Sequence, residues 1–119
     1  MKFLWTTIEV LDVDESVRFY QEIVGLSVEH RIAGEETNIA FMGDGETKIE
    51  LISHKGVVPQ AVGALISIGF EVDDLDAKIA FLQERGIPIT AGPFSPNPRI
   101  RFCYVEDPNG VRIQFVEQR

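Results

Sequence analysis

A chain of 119 residues and 13.3 kDa has room for one ordinary domain or for two half-size modules sharing a core, which excludes the large catalytic barrels. Hydrophobic residues at 45 % and charged ones at 25 % are globular proportions, and the longest uncharged stretch, which starts at Gly56 and stops just before Glu71, is broken by Pro59, Gln60 and three glycines, so neither disorder nor a membrane-spanning helix is expected. A formal net charge of −8 and a pI near 4.7 argue against nucleic acid as a partner, because neutralising phosphates takes clustered Lys and Arg.

The first apolar run, about Phe3 to Val10, reads as a strand. It reaches Glu9 before a signal-length apolar core forms, and a cytoplasmic protein is expected. A helix follows, with Val13, Val17, Tyr20 and Val24 at helical spacing. Asp12 and Glu15 have the spacing of a capping box, and Gly25 closes the helix. Strands are then predicted over Leu26 to Ala33, Asn38 to Gly43 and Thr47 to Ser53, with Gly43-Asp44-Gly45 as the turn joining the last two. Lys55 to Gly63 reads as a linker.

The same order then repeats. Shifted by 62 residues, Asp12-Val13-Asp14 falls on Asp74-Leu75-Asp76, Phe19 on Phe81 and Gln21-Glu22 on Gln83-Glu84. The second copy has a strand at about Ala64 to Val72, a helix carrying Leu75, Ile79 and Leu82 and closed by Gly86, and strands over Ile87 to Thr90, Ile100 to Glu106 and Val111 to Glu117. Asp107-Pro108-Asn109-Gly110 is its tight turn. The chain therefore reads as one α+β domain of two βαβββ modules, about 1–54 and 64–119.

Period-2 reading gives each sheet an apolar face for the helices: Ile8 and Val10, Ile49 and Leu51, Ile66, Ile68, Phe70 and Val72, then Val111, Ile113 and Phe115. The alternate face carries Trp5, Thr7, Glu9, Lys48, Glu50, Ser67, Gly69, Glu71, Arg112 and Gln114. Such a face is either solvated surface or, where a sheet curls, the concave wall of a ligand site.

The segment Trp5 to Tyr20 followed by Val24-Gly25-Leu26, together with Val72 to Asp76, Gly86 and Glu106 to Phe115, resembles the vicinal oxygen chelate superfamily of glyoxalase I, bleomycin- and fosfomycin-resistance proteins and extradiol dioxygenases. The resemblance spans nearly the whole chain. It implies a glyoxalase/bleomycin-resistance-like fold, in which paired βαβββ modules form a curled mixed sheet around a cup. Metal-dependent relatives hold a divalent ion there on His and Glu from the first and last strand of each module. The matching positions are Trp5 for the first His, Glu50 for the first Glu, Ser67 for the second His and Gln114 for the second Glu. One strong donor of four remains, and Trp has no lone pair to offer while Ser and Gln are weak neutral ligands. With a single cysteine and two histidines, a closed Cys/His zinc site is excluded as well. No metal cofactor is expected.

The reading that follows is a metal-free member of that superfamily holding a small organic molecule on Trp5, Glu50, Ser67 and Gln114, with Arg101 and Tyr104 bordering the site. Glu50 is its candidate catalytic base, and whether the protein is an enzyme stays open. The acidic charge suits a cationic ligand. The alternative is a divalent-metal-dependent lyase, isomerase or dioxygenase with relocated ligands, using Glu50 with His54 or a second chain. His30 is read as sharing a strand face with Val28 and Ile32, and Cys103 as inert packing. The resemblance also implies a homodimer.

Overall fold

The computed structural model describes all residues, Met1–Arg119, and divides into two units, Met1–Gln60 and Ala61–Arg119, whose boundary falls inside the Lys55–Gly63 linker. In the first unit the order is β1 (Trp5–Glu9), α1 (Val13–Phe19) continuing as a π-helical turn over Tyr20–Val24, β2 (Val28–Ala33), β3 (Thr37–Met42) and β4 (Lys48–His54). The sheet order is β1-β4-β3-β2. The helix carries the chain from one sheet edge to the other, and the β2-β3-β4 meander returns so that β4 pairs with β1 in parallel.

Local chemistry sets the helix limits. The Asp12 carboxylate accepts the Glu15 N–H at 3.2 Å. At the far end Gly25 turns left-handed, with φ +96°, and its N–H and that of Leu26 both donate to the Tyr20 carbonyl, at 3.0 and 2.8 Å. Val13, Val17, Tyr20 and Ile23 are buried with Ile8, Val10, Ala40, Met42, Ile49 and Leu51, so the helix lies on the apolar sheet face. Removing a side chain such as Leu51 from that contact costs about 2–5 kcal/mol.

The second unit repeats the plan: β5 (Ser67–Glu71), α2 (Leu75–Glu84), β6 (Ala91–Asn97), β7 (Ile100–Glu106) and β8 (Arg112–Gln118), in the order β5-β8-β7-β6. Asp74 caps α2 by accepting from the Ala77 N–H at 3.1 Å. The Asp107 carboxylate accepts the N–H groups of Asn109 and Val111, each at 2.8 Å, and so fixes the turn before β8. Leu75, Leu82, Cys103, Val105, Ile113 and Phe115 form the core.

Two expectations need correction. The strand predicted at Ile87 to Thr90 lies instead at Ala91–Asn97, a segment whose prolines, Pro93 and Pro96, argue against a central strand. As the outermost strand of its sheet, β6 tolerates them, and its register with β7 shifts at each irregularity. Ile66, assigned to the buried face, precedes β5 and is 70 % exposed.

Candidate ligand-binding face

In the first unit the parallel register sets Trp5 opposite Lys48 and Thr7 opposite Glu50, and the β3–β4 register sets Phe41 opposite Glu50. All of these side chains share the sheet face away from α1. The Thr7 hydroxyl donates to Oε1 of Glu50 at 2.6 Å. The rings of Trp5 and Phe41 meet edge to face, with centroids 5.2 Å apart and planes at 71°. Trp5 is 43 % exposed. Next to it a cleft of about 260 Å³ is lined by Trp5, His30, Phe41, Glu29, Glu46 and Lys48, among others. Lys48 is held by Glu29 at 2.9 Å and by the Gly45 carbonyl at 3.2 Å.

His30 belongs to this face and shares it with Ile32, as expected, but not with Val28, which corrects that part of the strand reading. A register irregularity sets Val28 against Met42 and His30 against Phe41, so Val28 and His30 oppose consecutive residues and point to opposite sides. The His30 ring is exposed and lies nearly parallel to Phe41, centroids 6.5 Å apart at 27°. His54, the candidate substitute ligand, is engaged elsewhere: Nδ1 meets the Thr37 hydroxyl at 3.2 Å and Nε2 lies 3.6 Å from Glu9.

In the second unit the equivalent positions carry different chemistry. Ser67 is opposite Arg112, Gly69 opposite Gln114, and Tyr104 opposite Gln114. The Gln114 amide donates to the Tyr104 hydroxyl at 3.2 Å. The Arg112 guanidinium lies 4.2 Å above the Tyr104 ring and donates to the Ala64 carbonyl at 3.1 Å. Ser67, Gln114, Tyr104 and Arg112 thus form one polar face. Arg101 is not on it. It sits on the side of β7 that also carries Cys103 and Val105, and it binds Asp76 of α2 at 2.9 Å. Hydrogen bonding and attraction from Arg101 hold the Asp76 carboxyl below its ordinary range.

Sequence reasoning passed over Thr7 and Arg112 as partners of Glu50 and Tyr104. The repeat held the signal, since parallel pairing of each first strand with its last puts Thr7 beside Glu50 just as it puts Gly69 beside Gln114. Cys103 is fully buried, and desolvation pushes its thiol up.

Within a single chain, the positions matched to the metal ligands of relatives bring one carboxylate, Glu50, and no imidazole. No three His, Cys, Asp or Glu side chains come together as a metal-binding group, the Glu50 carboxylate accepts a hydroxyl, and the Gln114 amide is turned to a phenol.

Two four-stranded mixed sheets, each with one helix, and a polar face on the repeated first and last strands define an α+β protein of the glyoxalase type. The chain belongs to the Glyoxalase/Bleomycin resistance protein/Dioxygenase superfamily, whose family model matches residues 2–115. It is similar to a protein of Haemophilus influenzae named lactoylglutathione lyase, 33 % identical over 128 aligned positions that cover 100 % of this chain and 94 % of the relative. Among solved structures it is similar to the trypanothione-dependent glyoxalase I of Leishmania major, with TM-score 0.84, 26 % identity, and coverage of 98 % of this chain and 86 % of that one. It is also similar to TnmS3, an antibiotic-binding protein from Streptomyces sp. CB03234, with TM-score 0.79, 26 % identity, and coverage of 100 % and 97 %. No helix is long and apolar enough to cross a membrane.

Proposed function

We propose that this protein binds a small organic molecule on its polar sheet faces without a resident metal ion. The observation that carries this reading is the state of the residues at the superfamily's metal positions. Trp5 and Ser67 replace the two histidines, Gln114 replaces one carboxylate, and the remaining carboxylate, Glu50, accepts a hydrogen bond from Thr7. Ligand chemistry then falls to the side chains themselves: Trp5 and Phe41 offer ring surface, Glu50 a hydrogen-bond acceptor and candidate base, and Ser67, Gln114 and Tyr104 neutral polar groups. Arg101, tied to Asp76, drops out of the set. The antibiotic-binding structural relative supports sequestration as the form this binding takes.

Elemental analysis of protein purified without chelators tests the reading. We expect no stoichiometric Ni, Zn, Fe or Mn. Stoichiometric metal that is lost in Glu50→Ala would overturn it and favour the second reading, a metal-dependent lyase with relocated ligands, which the lyase name of the Haemophilus relative supports.

A cytoplasmic homodimer completes the proposal. Exposed apolar pairs, Phe3-Leu4 and Leu65-Ile66, immediately precede β1 and β5, the outer strands of the two sheets, at the 62-residue repeat spacing. Light scattering should give twice the chain mass, and a monomer for a Phe3→Ser/Leu65→Ser variant.

A further inference from the structure

Resting on the metal-free reading, we infer that the cleft beside Trp5 takes an uncharged planar aromatic ring bearing a carbonyl group, with the ring against Trp5 and His30 and the carbonyl oxygen accepting from Lys48.

The walls argue for the ring. Trp5, Phe41 and His30 stand on three different strands and all line the cleft. Their successive centroids are 5.2 and 6.5 Å apart, Trp5 and His30 are exposed, and Leu4 adds an apolar side chain to the same lining. Aromatic surface of this kind offers flat contact area with little side-chain entropy to lose on binding. The volume, about 260 Å³, suits a ring with a short substituent rather than an extended polymer.

The charges argue for neutrality. The lining holds two lysines, Lys2 and Lys48, and two glutamates, Glu29 and Glu46. They cancel in number, and Lys48 and Glu29 also cancel in contact, with Nζ 2.9 Å from Oε2. A cation entering the cleft finds the Glu29 carboxylate already taken by Lys48, and an anion finds the Lys48 ammonium already taken by Glu29. Lys2 and Glu46 are exposed, and an ion pair with either gains little in water. A charged ligand would therefore give up hydration against aromatic walls with no full charge to answer it. An uncharged ring escapes that cost.

Lys48 argues for the carbonyl. An ammonium carries three donors, and two are spent, on Glu29 at 2.9 Å and on the Gly45 carbonyl at 3.2 Å. One N–H remains. Lys48 is the cross-strand partner of Trp5 and half-buried, and its two contacts already fix the ammonium in the cleft lining. A carbonyl oxygen can accept the remaining N–H without bringing a second negative charge to Glu29.

Trp5 is the single tryptophan of the chain, so the one indole N–H resonance in its NMR spectrum reports on this cleft. The test follows that resonance at mildly alkaline pH, where imidazole is uncharged. The probes are acetophenone, anionic benzoate, cationic benzamidine, and cyclohexyl methyl ketone, which keeps the carbonyl and loses the flat ring. We expect saturable shifts with acetophenone bound at least about five-fold tighter than each of the other three. Lys48→Met removes the donor and leaves the lining acidic, so acetophenone should weaken about three- to ten-fold and benzamidine should gain on it. Glu29→Gln frees the Lys48 charge, so benzoate should gain on acetophenone instead. A smaller margin on the unaltered protein, a charged probe that binds best there, or no shift with any probe would overturn the inference. That ranking decides even where a variant fails to fold. Failure of the ranking with no bound metal leaves the metal-free reading standing, whereas stoichiometric metal defeats that reading whatever the ranking.

Discussion

The hydroxyl of Thr7 donates to the carboxylate of Glu50 at 2.6 Å across two parallel strands, whereas at the equivalent place in the second module Gly69 faces Gln114 with no side chain to offer. The modules have diverged at equivalent positions of their two polar faces. In one, a hydroxyl satisfies an acid. In the other, an amide is left free to turn to Tyr104, 3.2 Å away.

Thr7→Val keeps the β-branched shape that suits a strand and removes only the donor. Because the pair is partly exposed, water can replace the hydroxyl, and the loss should be small, about 0.5–1 kcal/mol in urea denaturation. A loss of 3 kcal/mol or more would mean that Glu50 is held by the strand pair far more tightly than one solvated hydrogen bond permits.

Gly69 and Gly92 should respond differently to alanine. A Cβ at Gly69 would stand 3.2 Å from Oε1 of Gln114, the mobile end of a side chain, and the backbone there needs no left-handed conformation. Gly69→Ala is therefore expected to stay within about 1 kcal/mol of the parent protein, the relief of chain entropy offsetting a small shift of Gln114. Gly92 has φ +91°, and its Cβ would meet the Phe102 carbonyl at 3.0 Å, so strain and a backbone clash coincide. Gly92→Ala should cost at least about 1–2 kcal/mol by the same denaturation measurement.

What the sequence conveyed and what it withheld follow from the range of the signals. The Asp12 cap, the glycines closing both helices and the Asp107 turn are fixed by chemistry within a few residues, and each is where its residues imply. The polar face of β1, β4, β5 and β8 followed from strict alternation, which a regular strand obeys. Alternation fails wherever a strand is irregular. The shift between Val28 and His30 moves His30 onto the face of Phe41, and nothing local in that segment announces it. β6 was hidden by its prolines, because their tolerance depends on being at a sheet edge, which is a property of topology. Arg101 was legible after all: it alternates with Cys103 and Val105, both fully buried, and that places it on the helix side.

Cys103 should be silent in the folded protein. Its side chain is fully buried, and desolvation raises its thiol further above neutral pH than Lys78 can offset. An aromatic disulfide reagent at mildly alkaline pH should therefore react with about one thiol per chain in denaturant and with almost none, over the same minutes, in the native state. Rapid native reaction would show that the β7 core opens on that timescale.

Acid should destabilise the second unit through Glu117. This side chain is buried, its Oε1 accepts the Leu75 N–H at 2.9 Å at the start of α2, and its Oε2 accepts from Arg119 at 2.6 Å. The backbone donor first, then Arg119, hold its carboxyl below the ordinary value of 4.5. Since the folded chain takes up this proton at lower pH than the unfolded one, the stabilisation is complete above the unfolded carboxyl's pKa and is lost as pH falls through the folded one. Asp76, lowered by Arg101, adds to the same trend. Denaturation midpoints for the parent protein should thus be flat near neutrality and fall progressively below about pH 4.5. Glu117→Gln keeps an acceptor for the Leu75 N–H but loses the charge that Arg119 meets. Its midpoint should be lower than the parent's at pH 7, and the gap should narrow on acidification. A gap that stays constant down to pH 3 would show that Glu117 contributes by packing rather than by its charge.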